Sequence, residues 1–408
     1  MSEASTVEGS SLQRRNLALL AIAELLGLTL WFSSSAVNPA IRDDWGLTSG
    51  QTAWLVMAVQ IGFVAGTFAS GLLNLPDIVS SRRLFAASAL LGALSNAGFA
   101  LLADDLAAGI VFRLLTGVFL AGVYPPGMKL ATTWTVRHRG LAVGIVVGAL
   151  TVGSASPHLV RSAVDLDWPW VVLASSVLAA IGGLIVLAWV REGPFASRSA
   201  AFDPRFIVRM ARSRSLRLAN LGYLGHMWEL YAMWTWVPVF LHDLLTSRGL
   251  TSTTASLLAF GVIGAGGVSC VVAGRVADQW GRTATTSALM AMSGGSAVVA
   301  ALLTGASLWL LTPVLFVWGL TVIADSAQFS AAVSELSPPE YVGSALTLQT
   351  SLGFLLTIGS IQAVPLLVEA WGWPSAFLLL AIGPAVGIVA MLRLRQLPES
   401  LACANGRR

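Results

Sequence analysis

The sequence predicts an all-α membrane protein of twelve transmembrane helices arranged as two pseudo-symmetric six-helix bundles. Three observations carry that expectation. Apolar blocks of bilayer-spanning length recur about a dozen times. Basic residues gather in alternate loops between them. Landmarks in the first half return roughly 203–205 positions later. With a mean hydropathy of +0.77 and only 11% charged residues, the composition excludes an ordinary soluble globule. In a bilayer each backbone amide must be satisfied within its own segment, so apolar blocks of this length are expected to be helices.

The spans fall near 16–38, 50–73, 84–103, 106–128, 140–162 and 169–190, then 218–241, 253–274, 284–305, 308–331, 342–367 and 374–394. With the N-terminus inside, cytoplasmic segments hold Arg14, Arg15, Arg82, Arg83, Lys129, Arg137, Arg139, Arg275 and Arg282. The central loop adds seven arginines from Arg191 to Arg217, and the tail adds Arg393, Arg395, Arg407 and Arg408. Of 24 basic residues only Arg42, Arg113, Arg161 and Arg248 fall elsewhere, which puts both termini in the cytoplasm. The pI near 9.6 follows from this topology, so no nucleic-acid partner is implied; the arginines face anionic lipid. Cys270 and Cys403 make neither a disulfide framework nor a metal cluster. The polar start, residues 1–13, precedes an apolar run longer than a signal-peptide core, so the first helix is expected to stay uncleaved.

The repeat fixes the domain plan. Trp168-Pro169 opens the sixth span and Trp373-Pro374 the twelfth, 205 positions on. Gly140 and Gly343 open the fifth and eleventh, and Gly71 and Gly274 close the second and eighth, each pair 203 apart. The domains are therefore a bundle over 1–190, a cytoplasmic linker over 191–217, and a bundle with its tail over 218–408. Within the linker, Phe206-Ile207-Val208-Arg209-Met210 has the pattern of a short surface helix.

Gly274-Arg275-Val276-Ala277-Asp278-Gln279-Trp280-Gly281-Arg282 resembles the signature loop of the major facilitator superfamily, G-x-x-x-D-x-x-G-R/K, at every fixed position. Gly281 permits a sharp turn, and Asp278 can accept charge-assisted hydrogen bonds from a helix end or an arginine. Together Gly274, Asp278, Gly281 and Arg282 are expected to form a gating latch. The first-half copy departs from the pattern: Gly71-Leu72-Leu73-Asn74-Leu75-Pro76-Asp77 brings its acid two residues late. In the fourth span, Arg113-Leu114-Leu115-Thr116-Gly117 resembles the family's R-x-x-x-G element. The fifth span, with Gly148, Gly153 and Pro157, resembles the antiporter motif only loosely, lacking its Gly-Pro pair. The resemblance implies alternating access, a cavity lined by the first, fourth, seventh and tenth helices, and for Arg113 a role in packing or proton coupling.

Ionisable groups at the bilayer centre cost roughly 2.5–3.5 kcal/mol on insertion scales, so each needs a reason. The deep candidates are Glu24, Arg113, His226, Glu229 and Asp325. Glu24 and Glu229 share the 205-residue offset, as do Trp31 and Trp236, two turns further along each helix. Such tryptophans can stack on a cationic or planar solute, or simply fill space. His226 and Glu229 lie three residues apart on one face and are expected to hydrogen-bond rather than bind a metal. Asp325 and Gln328 mark the polar stretch of the tenth span, where Asp325 carries a proton or cation or pairs with an arginine as a gate. The glycine-rich Gly261–Gly267 lacks a preceding strand and a Lys-Ser/Thr, so it serves helix packing and not phosphate.

These residues point to a secondary transporter of a small solute, driven by protons, with no cofactor, working as a monomer in the bacterial inner membrane. A cationic or amphipathic solute and a small anion of the cyanate or nitrate type remain alternatives. No nucleophile–base pair or metal constellation supports an enzyme, and the short loops do not support a receptor.

Overall fold

The computed structural model describes residues 10–73, 75, 79–135, 139–163, 167–195, 210, 212–338 and 341–407, and among them there is no strand. Of the expected surface helix at 206–210 only Met210 is described, and Asn74 and 76–78 of the degenerate first-half loop lie outside the described residues. Internal contacts divide the chain into two compact units, Met1–Ser199 and Ala200–Arg408.

In the first unit, α1 (Ser11–Leu28) begins at Ser10, whose hydroxyl accepts the Gln13 amide at 3.1 Å. The short α2 (Ser33–Ala36) and α3 (Asn38–Trp45) follow, and Gly46 ends α3 at φ 62°. A capping box opens α4 (Ser49–Leu72): Thr48 Oγ1 accepts the Gln51 amide while Gln51 Oε1 accepts the Thr48 amide. Then come α5 (Ser81–Leu102), α6 (Leu106–Leu120), α7 (Tyr124–Thr132), α8 (Arg139–Ala163) and α9 (Trp168–Trp189). Asp105 caps α6 by accepting the Ala108 amide at 2.8 Å.

The second unit holds α10 (Arg214–Ser247), α11 (Ser252–Trp280), α12 (Arg282–Leu302), α13 (Leu308–Val322), α14 (Ser326–Leu336), α15 (Val342–Trp371) and α16 (Trp373–Arg395). A final 3₁₀ stretch covers Pro398–Gly406. Gly281, at φ 92°, makes the turn from α11 to α12, and Gly372, at φ 79°, that from α15 to α16.

Ten of the described helical segments are long and apolar enough to cross a membrane. The first and seventh spans complete the twelve; the first carries Glu24 and the seventh His226 and Glu229. Exposed tryptophans mark the span ends in each unit: Trp170 and Trp189 at the two ends of α9 in the first, and Trp280, Trp309 and Trp371 at the ends of α11, α13 and α15 in the second. That is the distribution of an interfacial aromatic belt.

Three spans that hydropathy presents as continuous are broken. The first stops at Leu28 and resumes at Ser33, because Thr29 turns its hydroxyl to the Leu26 and Ser175 carbonyls and Arg113 claims those of Leu30 and Trp31. The fourth breaks between Leu120 and Tyr124. Pro125 and Pro126 have no N–H to return to the preceding turn. The tenth breaks between Val322 and Ser326, 202 positions after the fourth. The seventh runs unbroken for 34 residues, longer than its apolar core.

Glycines set the tightest crossings. A Cβ on Gly117 would overlap the Val59 carbonyl, and one on Gly319 the Val262 carbonyl. The fourth span therefore lies backbone-to-backbone on the second, and the tenth on the eighth, at equivalent points of the repeat.

Candidate functional site

In the first unit, Arg113 is fully buried on α6. Its guanidinium donates to the Leu30 carbonyl and Ser33 hydroxyl at 3.0 Å each, Asn96 Oδ1 at 2.6 Å, the Trp31 carbonyl at 2.6 Å and the Leu55 carbonyl at 3.3 Å. Every acceptor is neutral, and the Phe99 ring lies 5.7 Å from the guanidinium carbon. A guanidinium has five donors in a rigid fork, which is why it can satisfy a broken helix end and two neighbouring helices together. Asn96 completes the knot by donating to the Val172 carbonyl and the Ser176 hydroxyl.

Glu24 sits on α1 with no exposed surface. Among the described residues, neither of its oxygens has a hydrogen-bond partner. A Cβ on Gly127 of α7 would overlap Glu24 Oε2, so that glycine makes the room for the carboxyl. Trp31 is buried in the break of the same span, its ring 4.9 Å from that of Phe63.

In the second unit, Glu229 is held at both oxygens. Ser293 donates its hydroxyl to Oε2 and Trp318 its indole N–H to Oε1, each at 2.8 Å. His226 does not pair with Glu229 as the three-residue spacing suggests. Its Nδ1 lies 2.9 Å from Asp325 Oδ1, with both side chains buried, while its ring sits beside those of Tyr223 and Phe329. Asp325 stands at the break of the tenth span, so its partner is this histidine and not an arginine. Trp236 donates its indole N–H to the Ile361 carbonyl at 2.9 Å, which ties the seventh span to the eleventh and leaves the ring packed.

The signature loop forms a separate cluster. Arg282 reaches Asp278 Oδ1 at 3.0 Å, Gln328 Oε1 at 2.7 Å and Glu335 Oε1 at 3.1 Å. Gln328 thus belongs with the loop and not with the acids. Gly274 is buried within α11, and Gly281 supplies the turn.

Sequence reasoning missed Asn96, Gly127, Ser293, Trp318 and Glu335, all contributed by helices remote in sequence. Only Glu335 carried a signal, as an acid at a span end. Among the described residues no group of three or more His, Cys, Asp or Glu side chains is placed to hold a metal.

Solved structures of membrane transporters share its fold. A bacterial homologue of the human lysosomal transporter Spinster aligns at TM-score 0.72 and 13% identity, covering 96% of this chain and 99% of that one. The nucleoside transporter NupG aligns at 0.70 and 15%, covering 93% and 99%. The proton:xylose symporter XylE aligns at 0.69 and 15%, covering 94% and 96%. In sequence, an uncharacterized MFS-type transporter of Mycobacterium tuberculosis is 25% identical over 379 residues, 89% of this chain and 81% of that protein. The MFS-type transporter pytF of Aspergillus terreus is 25% identical over 245 residues, 58% and 79%. The family model of the Major Facilitator Superfamily matches residues 20–361, and the chain belongs to that superfamily of membrane transporters.

Proposed function

We propose that this protein is a proton-coupled secondary transporter of a small cationic or amphipathic solute, working by alternating access in the bacterial inner membrane. The observation that carries the reading is Glu24: a fully buried carboxyl with no hydrogen-bond partner among the described residues, facing a glycine. A carboxylate in such a place must be neutralised, by a proton or by a cation from the solute. Arg113, the fully buried arginine of the same unit, is taken up by neutral acceptors at each guanidinium nitrogen, so none of these nitrogens stands free for an anion. His226 is likewise engaged by Asp325, which counts against the small-anion alternative. A proton-driven sugar symporter among the structural neighbours supports coupling to protons in this fold.

Purified protein in proteoliposomes under an imposed pH gradient tests the reading. Organic amines should move protons in a manner that Glu24→Gln abolishes, whereas cyanate- and nitrate-type anions should not. Proton-linked anion flux that survives Glu24→Gln would reject the reading. The basic-loop asymmetry supports cytoplasmic termini and a cytoplasmic linker. In intact cells a cysteine placed at Asp105 should label from outside and one in the linker should not.

A further inference from the structure

The end of the chain is not a loose tail. Beyond α16, Ser400 is buried and turns its hydroxyl back to the Arg395 and Leu397 carbonyls. Cys403 is buried as well, and the Ala404 amide donates to Glu335 Oε2 at 3.0 Å. Three residues later the Arg407 guanidinium donates to the Asp278 carbonyl at 2.9 Å. Glu335 lies near the end of α14, the half-helix that follows the break in the tenth span, and its other oxygen holds Arg282. The final residues therefore grip one half-helix and the signature loop together.

The first unit has the equivalent arrangement. After α9, the Gly193 amide donates to Thr133 Oγ1 at 2.8 Å and the Phe195 amide to the Thr133 carbonyl at 3.0 Å. Thr133 caps α7, the half-helix after the break in the fourth span, and stands 202 positions before Glu335. A Cβ on Gly193 would overlap the Thr133 carbonyl, so the approach requires glycine. Each half thus ends in a segment that folds back onto its own hinged half-helix. The first clasp is made of neutral hydrogen bonds. The second pairs a charged side chain with a backbone group at each contact: the Glu335 carboxylate with an amide, and the Arg407 guanidinium with a carbonyl.

We propose that residues 398–407 form a releasable strap that clamps α14 against the signature loop, and that its release frees this half-helix to move about the break at Ile323–Asp325. The clasp is open to competing water, because Arg407 is exposed and the Glu335 side chain is about a quarter exposed. The docked thiol reports the strapped state. Burial first, and the nearby Glu335 carboxylate second, push Cys403 up to about 12, so it stays an unreactive thiol until the strap lifts.

The test uses the full-length protein carrying Cys270→Ser, which leaves Cys403 as its single thiol. Maleimide labelling of Cys403 and hydrogen exchange over 326–336 are followed in the parent, in Arg407→Ala and in Glu335→Gln. The strap predicts slow labelling in the parent and at least tenfold faster labelling in both variants. Exchange over 326–336 should accelerate in step while 124–132 stays unchanged. Arg407 is exposed, so its replacement leaves the bundle folded and serves as the control against misfolding. Fast labelling in the parent, or labelling in Arg407→Ala as slow as in the parent, would overturn the docking. Fast labelling with unchanged exchange over 326–336 would overturn the clamp.

Discussion

Glu24 and Glu229 stand at equivalent places in the two halves, yet their surroundings are opposite. Glu229 receives a hydroxyl from the ninth span and an indole N–H from the tenth. Glu24 receives nothing from the described residues and faces a glycine. The repeat has kept the helix, the depth and the acid while changing what the neighbouring helices offer. An acid with two donors is oriented and stabilised in place. One without any is buried with its charge uncompensated by the described residues. The clasps at the half-helix ends also differ, with neutral hydrogen bonds in the first half and charge-assisted ones in the second.

The largest effect is expected at Arg113. Arg113→Lys cannot reach acceptors on three helices, and the carbonyls freed at Leu30 and Trp31 cost about 1–3 kcal/mol each. Thermal unfolding of purified protein should fall by on the order of 10 °C. An unchanged melting temperature would mean that the break in the first span holds itself.

Next comes the pair of acids, and here the two halves should part. Glu24→Gln is expected to lose gradient-driven accumulation at least tenfold with little change in stability, because no hydrogen bond is lost. Glu229→Gln replaces an oxygen with a donor opposite Trp318 or Ser293, so it should lose about 1 kcal/mol of stability. If both variants lose accumulation and keep their stability, the contrast drawn between the acids fails. Trp318→Phe sharpens it further. The indole N–H goes while the ring stays, and the stability cost should match that of Glu229→Gln and not add to it in the double variant.

The smallest effect belongs to Asp278→Asn. Asp278 is more than half exposed and its bond to Arg282 is one of three, so stability should change by less than about 1 kcal/mol. Transport should weaken at near-normal abundance. A collapse in abundance would show the loop to be a folding element and not a latch.

Spans, repeat and signature loop were legible because each rests on local pattern: apolar length, charge placement, or glycine and acid at fixed spacing. Of the three breaks, one was also written in the chain, since Gly122 and Pro125-Pro126 punctuate the fourth span. The break in the first span was not, because it is stabilised by an arginine some 80 positions away. The same limit explains His226. Its helical neighbour Glu229 is visible from spacing, but Asp325 comes within reach only when the seventh and tenth spans pack. For Trp236, left open between stacking on a solute and filling space, spacing could not show the carbonyl on the eleventh span that its indole satisfies.

Gly117 and Gly319 have a consequence for the gene as well as for the fold. Every missense change at a glycine codon adds at least one carbon, and at these two positions that carbon would overlap a backbone oxygen of the adjoining span. No conservative replacement exists there. Alleles altered at either codon should behave as nulls, whatever the new residue, and should be rescued only by second-site changes that move one whole span.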